Sequence, residues 1–202
     1  GILNGIDDLF WDPESDSMLA KNYKSTNVVS GKRKNKNELC KIYGLNPEYP
    51  LFGFIGRLVG EKSADLLPEA IRHAIRENGE ISIFLLGSGH ENIEDELRSL
   101  KEELKGNFNV HIGYDEKLSH LVYAGSDFLL MPSRVEPCGL NQMYSLRYGT
   151  IPIVRKTGGL KDTVVDIGDE GFGLCHDQAS VWDICYSIKR AIKFYNEKSY
   201  FR

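Results

Sequence analysis

From Pro50 onward, short apolar runs alternate with helix-patterned segments, and that alternation constrains the fold more than any other feature. The strand candidates cover residues 51–55, 81–86, 110–112, 128–131 and 151–154. Between them lie helix candidates at 64–77, 93–105, 118–124, 142–148 and 159–165, with a final amphipathic helix at 179–195. Repeated strand–helix–strand units imply a parallel, doubly wound sheet. Several of the strands are nearly continuous apolar runs, as a sheet covered by helices on both faces requires. The expected fold is one α/β domain, Rossmann-like, over residues 38–202.

A chain of 202 residues supports one sizeable core and is short for two. Residues 1–37 carry Gly, Asn, Asp, Pro and Ser without sustained periodicity and read as an irregular lead-in. A short helix at 38–43, ended by Gly44, opens the domain proper. The basic cluster from Gly31 to Asn37 reads as a solvated loop before that helix. The chain begins at Gly1 without an initiator Met and reads as a piece of a longer protein.

Charge and cysteine usage exclude several classes. A formal net charge of −4 gives no sign of a nucleic-acid or anionic-membrane partner. No apolar run approaches the roughly 20 residues that span a bilayer. The four cysteines lack Cys-x-x-Cys spacing, so no zinc site is expected, and reduced thiols in a cytoplasmic protein are the default.

The richest stretch is Ser133-Arg134-Val135-Glu136-Pro137-Cys138-Gly139-Leu140-Asn141-Gln142, between the strand at 128–131 and the next helix. Ligands of parallel α/β sheets bind at the carboxyl ends of strands, and helix N-termini there attract anions. Glu136 at such a handover marks a site. The first strand runs into Gly56-Arg57-Leu58-Val59-Gly60-Glu61-Lys62, where Arg57 offers a planar fork to phosphate oxygens and Lys62 a compact charge. The alternative for Arg57 and Lys62 is a pair of surface ion pairs worth under about 1 kcal/mol.

Weaker signals sit at the other strand ends. Gly87-Ser88-Gly89 permits close approach of a nucleotide, or is a plain tight turn; Asn92 replaces the third glycine of a nicotinamide fingerprint. Tyr114 can stack on a base or sugar, although half-buried core is the commoner fate of such a residue. Thr157-Gly158-Gly159-Leu160 offers consecutive amides to an anion, or is a Gly-rich turn with Thr157 as N-cap. The five histidines show no ligand spacing, and Tyr186, Ile188, Ile192 and Tyr195 read as a core stripe of the last helix.

Taken together, these phrases resemble the carboxy-terminal domain of the glycosyltransferase family shared by bacterial glycogen synthases and plant starch synthases. The resemblance runs through Gly1-Ile2-Leu3-Asn4-Gly5-Ile6-Asp7, Phe54-Ile55-Gly56-Arg57-Leu58 and Met131-Pro132-Ser133-Arg134-Val135-Glu136-Pro137-Cys138-Gly139-Leu140. It continues through Tyr148-Gly149-Thr150-Ile151-Pro152 and Thr157-Gly158-Gly159-Leu160-Lys161-Asp162-Thr163. It implies the donor-binding half of a two-domain GT-B enzyme, with residues 1–37 as the interdomain crossover and the amino-terminal acceptor domain absent. The implied reaction is retaining transfer of glucose from ADP-glucose to the non-reducing end of an α-1,4-glucan, without metal or other cofactor.

By that resemblance, Arg57 and Lys62 neutralise the departing diphosphate and Glu136 stands near the transferred sugar. Backbone amides of Cys138, Gly139 and Leu140 lie near sugar and diphosphate; Tyr114 contacts the base; Gly56, Gly87, Ser88, Gly89 and Asn141 complete the nucleotide wall. Three departures stand out: Glu61-Lys62-Ser63 where the family usually reads Gln-Lys-Gly, Asn141 in place of Thr, and Tyr144 where related enzymes carry a second Glu. They leave UDP-glucose open as an alternative donor. A binding module without activity of its own is the competing reading, and the domain alone is expected to be inactive.

Overall fold

The computed structural model describes residues 4–197. The residues Gly1, Ile2 and Leu3 of the crossover phrase lie outside them. Six parallel strands form one sheet: β1 (Leu51–Ile55), β2 (Ser82–Gly87), β3 (Phe108–Ile112), β4 (Phe128–Met131), β5 (Ile151–Arg155) and β6 (Leu174–His176). Their spatial order is β3-β2-β1-β4-β5-β6, so the winding reverses between β1 and β4. That crevice is where an open α/β sheet receives its ligand. The doubly wound expectation is met. The sixth strand, only three residues long and containing Cys175 and His176, carried too little apolar pattern to be read in advance.

Among the described residues seven α-helices cover the two faces: α1 (Val28–Tyr43), α2 (Leu67–Asn78), α3 (Glu91–Glu103), α4 (Glu116–Gly125), α5 (Asn141–Arg147), α6 (Gly158–Thr163) and α7 (Val181–Glu197). Alternate strand residues serve opposite cores. Phe52, Phe54, Ile83, Leu85, Phe128 and Leu130 pack with α2, α3 and α7 residues such as Ile71, Leu97 and Ile188. On the other face Leu129, Met131 and Val154 meet Tyr123, Tyr148 and Leu160. Burial on both faces explains the unbroken apolar runs. Among the described residues no helix is long and apolar enough to cross a membrane.

Helix α1 corrects two expectations. It begins at Val28, ten residues before the expected start, and contains the whole basic cluster. Its inward positions Gly31, Asn35, Lys36, Leu39 and Cys40 recur at helical spacing, but three of the five are not apolar, so hydrophobic periodicity could not reveal it. Asn35 is fully buried and holds the lead-in through the backbone N–H groups of Ala20 and Lys21, at 3.0 and 3.2 Å. Lys32 donates to the carbonyls of Ala124 (3.0 Å) and Tyr148 (3.2 Å), near the ends of α4 and α5. Lys36 is paired with Asp127 at 2.7 Å in the interior. Burial pulls the Lys36 ammonium down, yet Asp127 more than offsets this and its pKa is raised. Lys32, Asn35 and Lys36 thus form an internal staple, whereas Arg33, Lys34 and Asn37 of the same cluster are solvated, on a helix instead of a loop. The helix does end at Gly44, left-handed with φ 66°.

The last helix corrects a third expectation. Ile188 is buried, and Ile192 and Tyr195 pack partly against the core, but Tyr186 is 59% exposed and faces solvent.

Candidate functional site

The loops that leave β1 and β4 on either side of the crevice are sewn together before any side chain acts. The Glu61 carbonyl accepts the N–H groups of Arg134 (2.8 Å) and Val135 (3.1 Å). Arg134 forks onto Asp65 at 2.5 and 2.9 Å and donates to the Gly60 carbonyl at 2.7 Å. The Arg134 guanidinium holds the Asp65 carboxyl below its ordinary pKa. These contacts place residues 74 apart in sequence within reach: Lys62 Nζ donates to Glu136 Oε2 at 2.5 Å. Ser133 Oγ donates to the same oxygen at 3.1 Å. Glu136 is 9% exposed. Arg57, by contrast, projects outward and meets Glu61, four residues on in the same loop, at 3.1 Å. Each candidate cation therefore has a carboxylate partner, the partly buried Lys62–Glu136 pair inside and the open Arg57–Glu61 pair outside.

Glycines decide how closely these walls approach. A Cβ on Gly87 would lie 1.9 Å from the Gly56 carbonyl oxygen, and one on Gly89 would lie 2.2 Å from that of Leu58. The Leu58 N–H donates to the Ser88 carbonyl at 2.8 Å, which extends the β1–β2 pairing past the strand ends. Gly87-Ser88-Gly89 is thus a backbone contact as well as a wall.

The Thr157–Leu160 turn serves the acid loop instead of an anion. The Gly159 N–H donates to the Glu136 and Pro137 carbonyls at 3.0 and 3.1 Å. A Cβ on Gly159 would meet the Cys138 carbonyl oxygen at 2.3 Å. Thr157 takes the N-cap position of α6, as expected, but its side chain makes no capping hydrogen bond. Around the bend, the Cys138, Gly139 and Leu140 N–H groups have no protein acceptor among the described residues. Three amides at the mouth of α5 are therefore available to a ligand. The Asn141 amide is engaged, donating to the Ile55 carbonyl at 2.8 Å at the end of β1.

Beside this constellation is a cleft of about 340 Å³ lined by Gly56, Arg57, Gly87, Ser88, Tyr114 and Asn141, together with Trp11, Tyr123 and Tyr144. Tyr114 is 86% exposed and lines this cleft, so it is not the half-buried core aromatic that stood as the alternative to contact with a base. Lys62, Glu136 and residues 138–140 are not in the cleft wall; they form the adjoining rim beyond β4. A larger cavity of about 840 Å³ opens at the other end of the sheet, beside Asp127 and Ile151, and holds none of the candidate residues. Its lysines are committed to Asp127 and to backbone carbonyls. The strand-end cleft is the candidate site.

Sequence reasoning missed the far wall. Trp11 from the lead-in inserts between His120 (centroids 4.1 Å, 13°) and Tyr144 (3.9 Å, 22°). Beneath it, Asp16 accepts from Tyr148 Oη at 2.5 Å and contacts His120 Nδ1 at 2.7 Å, all three buried. Burial pushes the Asp16 carboxyl up, but the His120 and Tyr148 hydrogen bonds outweigh it and its pKa is lowered. The only signal in the sequence was a Trp and a clustered set of aspartates in a segment without periodicity. Nothing local places them against α4 and α5. Among the described residues there is no cluster able to hold a metal ion.

A family model described as glycosyl transferases group 1 matches residues 35–199. The chain belongs to that family. Within the group 1 glycosyltransferases it is similar to the glycogen synthase of Flavobacterium johnsoniae, with 62% identity over 98% of this chain and 42% of the relative. The glycogen synthase of Myxococcus xanthus is 46% identical over 98% of this chain and 41% of its own length. The chain thus spans about two fifths of the curated relatives it matches. The catalytic domain of starch synthase IV from Arabidopsis thaliana, solved with ADP and acarbose, superposes with a TM-score of 0.88 at 38% identity, over 98% of this chain and 42% of that one. An Anabaena protein, HepE, solved with UDP-glucose, shares the fold with a TM-score of 0.68 over 98% of this chain and 49% of that one, at 15% identity.

Proposed function

We propose that this domain binds the nucleotide-sugar donor of a glycogen or starch synthase and provides the leaving-group side of its active site. The donor is ADP-glucose, the acceptor an α-1,4-glucan bound through a further domain, the reaction retaining, and the location cytoplasmic. The observation that carries the reading is the Lys62–Glu136 contact across the topological switch point, next to three uncommitted amides and an open cleft. The ADP bound to the Arabidopsis starch synthase supports the choice of nucleotide.

In this reading the base lies against Tyr114, the diphosphate runs past Gly56 and Arg57, and the sugar reaches the Glu136 rim. Glycosyl transfer separates a positive sugar centre from a negative leaving phosphate. Fixed cations and oriented amides at the developing anion stabilise the transition state by several kcal/mol (~3–4 per well-placed donor). Glu136, hydrogen-bonded by Lys62 and Ser133, orients the sugar or stabilises its positive centre. Holding that carboxylate by a cation weakens it as a nucleophile, which favours a front-face route, with the leaving phosphate assisting the incoming hydroxyl.

Titration of ADP-glucose and UDP-glucose against the chain tests this. Arg57→Ala and Lys62→Ala are each expected to weaken ADP-glucose binding by about 1 kcal/mol or more; unchanged affinity in both would sink the diphosphate assignment. Glu61→Gln frees the Arg57 fork and is expected to tighten donor binding about threefold. The domain by itself is expected to transfer no glucose from ADP-glucose to glycogen, since in this reading the acceptor binds through a further domain. Measurable chain elongation by the purified 202 residues would show that it is a complete enzyme.

A further inference from the structure

Gln142 is fully buried behind the acid loop, and its side-chain amide grips that loop from within. Nε2 donates to the Cys138 and Gly139 carbonyls, each at 3.2 Å, and to Thr163 Oγ1 on α6 at 3.0 Å. Thr163 Oγ1 donates in turn to the Gly159 carbonyl at 2.7 Å. The Gln142 Oε1 atom is buried without a hydrogen-bond partner among the described residues. A buried carbonyl left unpaired costs stability that an apolar side chain of the same length would not. What the amide adds in return is its donor end, and that end acts on the loop.

Peptide geometry gives the consequence. In a trans peptide the C=O and N–H point in opposite directions, and the described residues contain no cis peptide bond. The Cys138 carbonyl shares its peptide with the Gly139 N–H, and the Gly139 carbonyl shares its own with the Leu140 N–H. Drawing both carbonyls towards Gln142 turns both N–H groups away from it. The Pro137 carbonyl, held by the Gly159 N–H at 3.1 Å, turns the Cys138 N–H out in the same way. These three N–H groups are the ones that lack a protein acceptor. Gly139 is left-handed, with φ 73°, and such a residue within a turn brings successive N–H groups to one side. Three aligned donors suit the oxygens of an anion such as phosphate.

We propose that Gln142 is a positioning residue for the donor. By tying back the carbonyls of Cys138 and Gly139 it makes the loop amides a nest for the diphosphate, without touching the ligand itself. The proposal rests on the reading of this strand end as a nucleotide-sugar site. It predicts that Gln142 governs recognition of phosphate and not of the base.

Gln142→Met keeps the length of the side chain and removes both N–H donors. In the 202-residue chain it is expected to weaken ADP binding about tenfold by calorimetry. Adenosine binding, followed through the indole N–H signal of Trp11 in the cleft wall, should stay within about twofold of wild type. Gln142→Glu keeps the shape but sets carboxylate oxygens against the two carbonyls, and is expected to lose at least as much ADP affinity. In the wild-type chain the amide NMR signals of Cys138, Gly139 and Leu140 should move with ADP and stay in place with adenosine. Unchanged ADP affinity in a folded variant overturns the proposal, and so does an equal loss for ADP and adenosine, which would mean that Gln142 shapes the whole cleft. Failure of both variants to fold, read by circular dichroism, would make Gln142 a stability residue alone and equally overturn it. Wild-type ADP binding that leaves the three amide signals still would end the nest while sparing the donor reading. Absence of both ADP and adenosine binding in the wild type would fault the donor reading itself, so the two failures are distinguishable.

Discussion

Changing Gly159 to alanine is expected to destabilise the domain by about 3 kcal/mol and to loosen donor binding with it. The new methyl would stand 2.3 Å from the Cys138 carbonyl oxygen, 2.6 Å from its Cα and 2.8 Å from its carbonyl carbon. All three are backbone atoms, so no rotamer change relieves the overlap. Either α6 or the acid loop must move, and the hydrogen bonds from the Gly159 N–H to the Glu136 and Pro137 carbonyls go with it. In a chain of this size the loss corresponds to a fall in melting temperature of roughly 6–12 °C. Gly5→Ala is the control, because nothing lies within 4 Å of its added methyl. If Gly159→Ala melts within about 2 °C of the control, then close packing of α6 does not fix the acid loop.

The second large effect is a loss of stability in mild acid through His176. This residue is 5% exposed at the end of β6, with Nδ1 near Ser187 Oγ at 3.2 Å and Nε2 buried without a partner. Burial, aided by Arg155, lowers its pKa from 6.5 to about 4. The unfolded chain therefore binds a proton between pH 6.5 and 4 that the folded chain refuses. Stability from this group is complete above pH 6.5 and is lost as pH falls through that window. At roughly 1.4 kcal/mol for each pH unit the loss reaches about 3 kcal/mol. Asp166, held down to about 2 by hydrogen bonds from Arg190 and two backbone amides that overcome its burial, contributes only at lower pH. Urea midpoints measured from pH 7 to 4 should fall in the wild type and flatten in His176→Asn. Parallel slopes in the two proteins would rule His176 out as the source.

The periodic part of the chain was legible because burial on both sheet faces forces β1, β2 and β4 to be largely apolar, and because helices at the crossings repeat at 3.6 residues. That Glu136, Arg57 and Lys62 would stand near strand ends was legible from the order of the apolar runs, and strand ends in this topology are where charge can meet a ligand. Helix α1 was not, since its inward face is built from Gly31, Asn35 and Lys36, which hold neighbours by hydrogen bonds and an ion pair instead of by apolar contact. Tyr186 was assigned an interior place from its position in a helical stripe, and it is exposed.

Local order in this protein is a property of the chain itself: alternating apolar runs, glycines at the turns and charged residues at the strand ends dictate a doubly wound sheet and its family. Partnership is a property of the fold. That Lys62 meets Glu136 and that Trp11 closes the cleft from a segment without periodicity both depend on the reversal of winding between β1 and β4. Short-range preferences act over a few residues, whereas these contacts join positions 74 to 133 apart, and only packing in three dimensions brings them within reach.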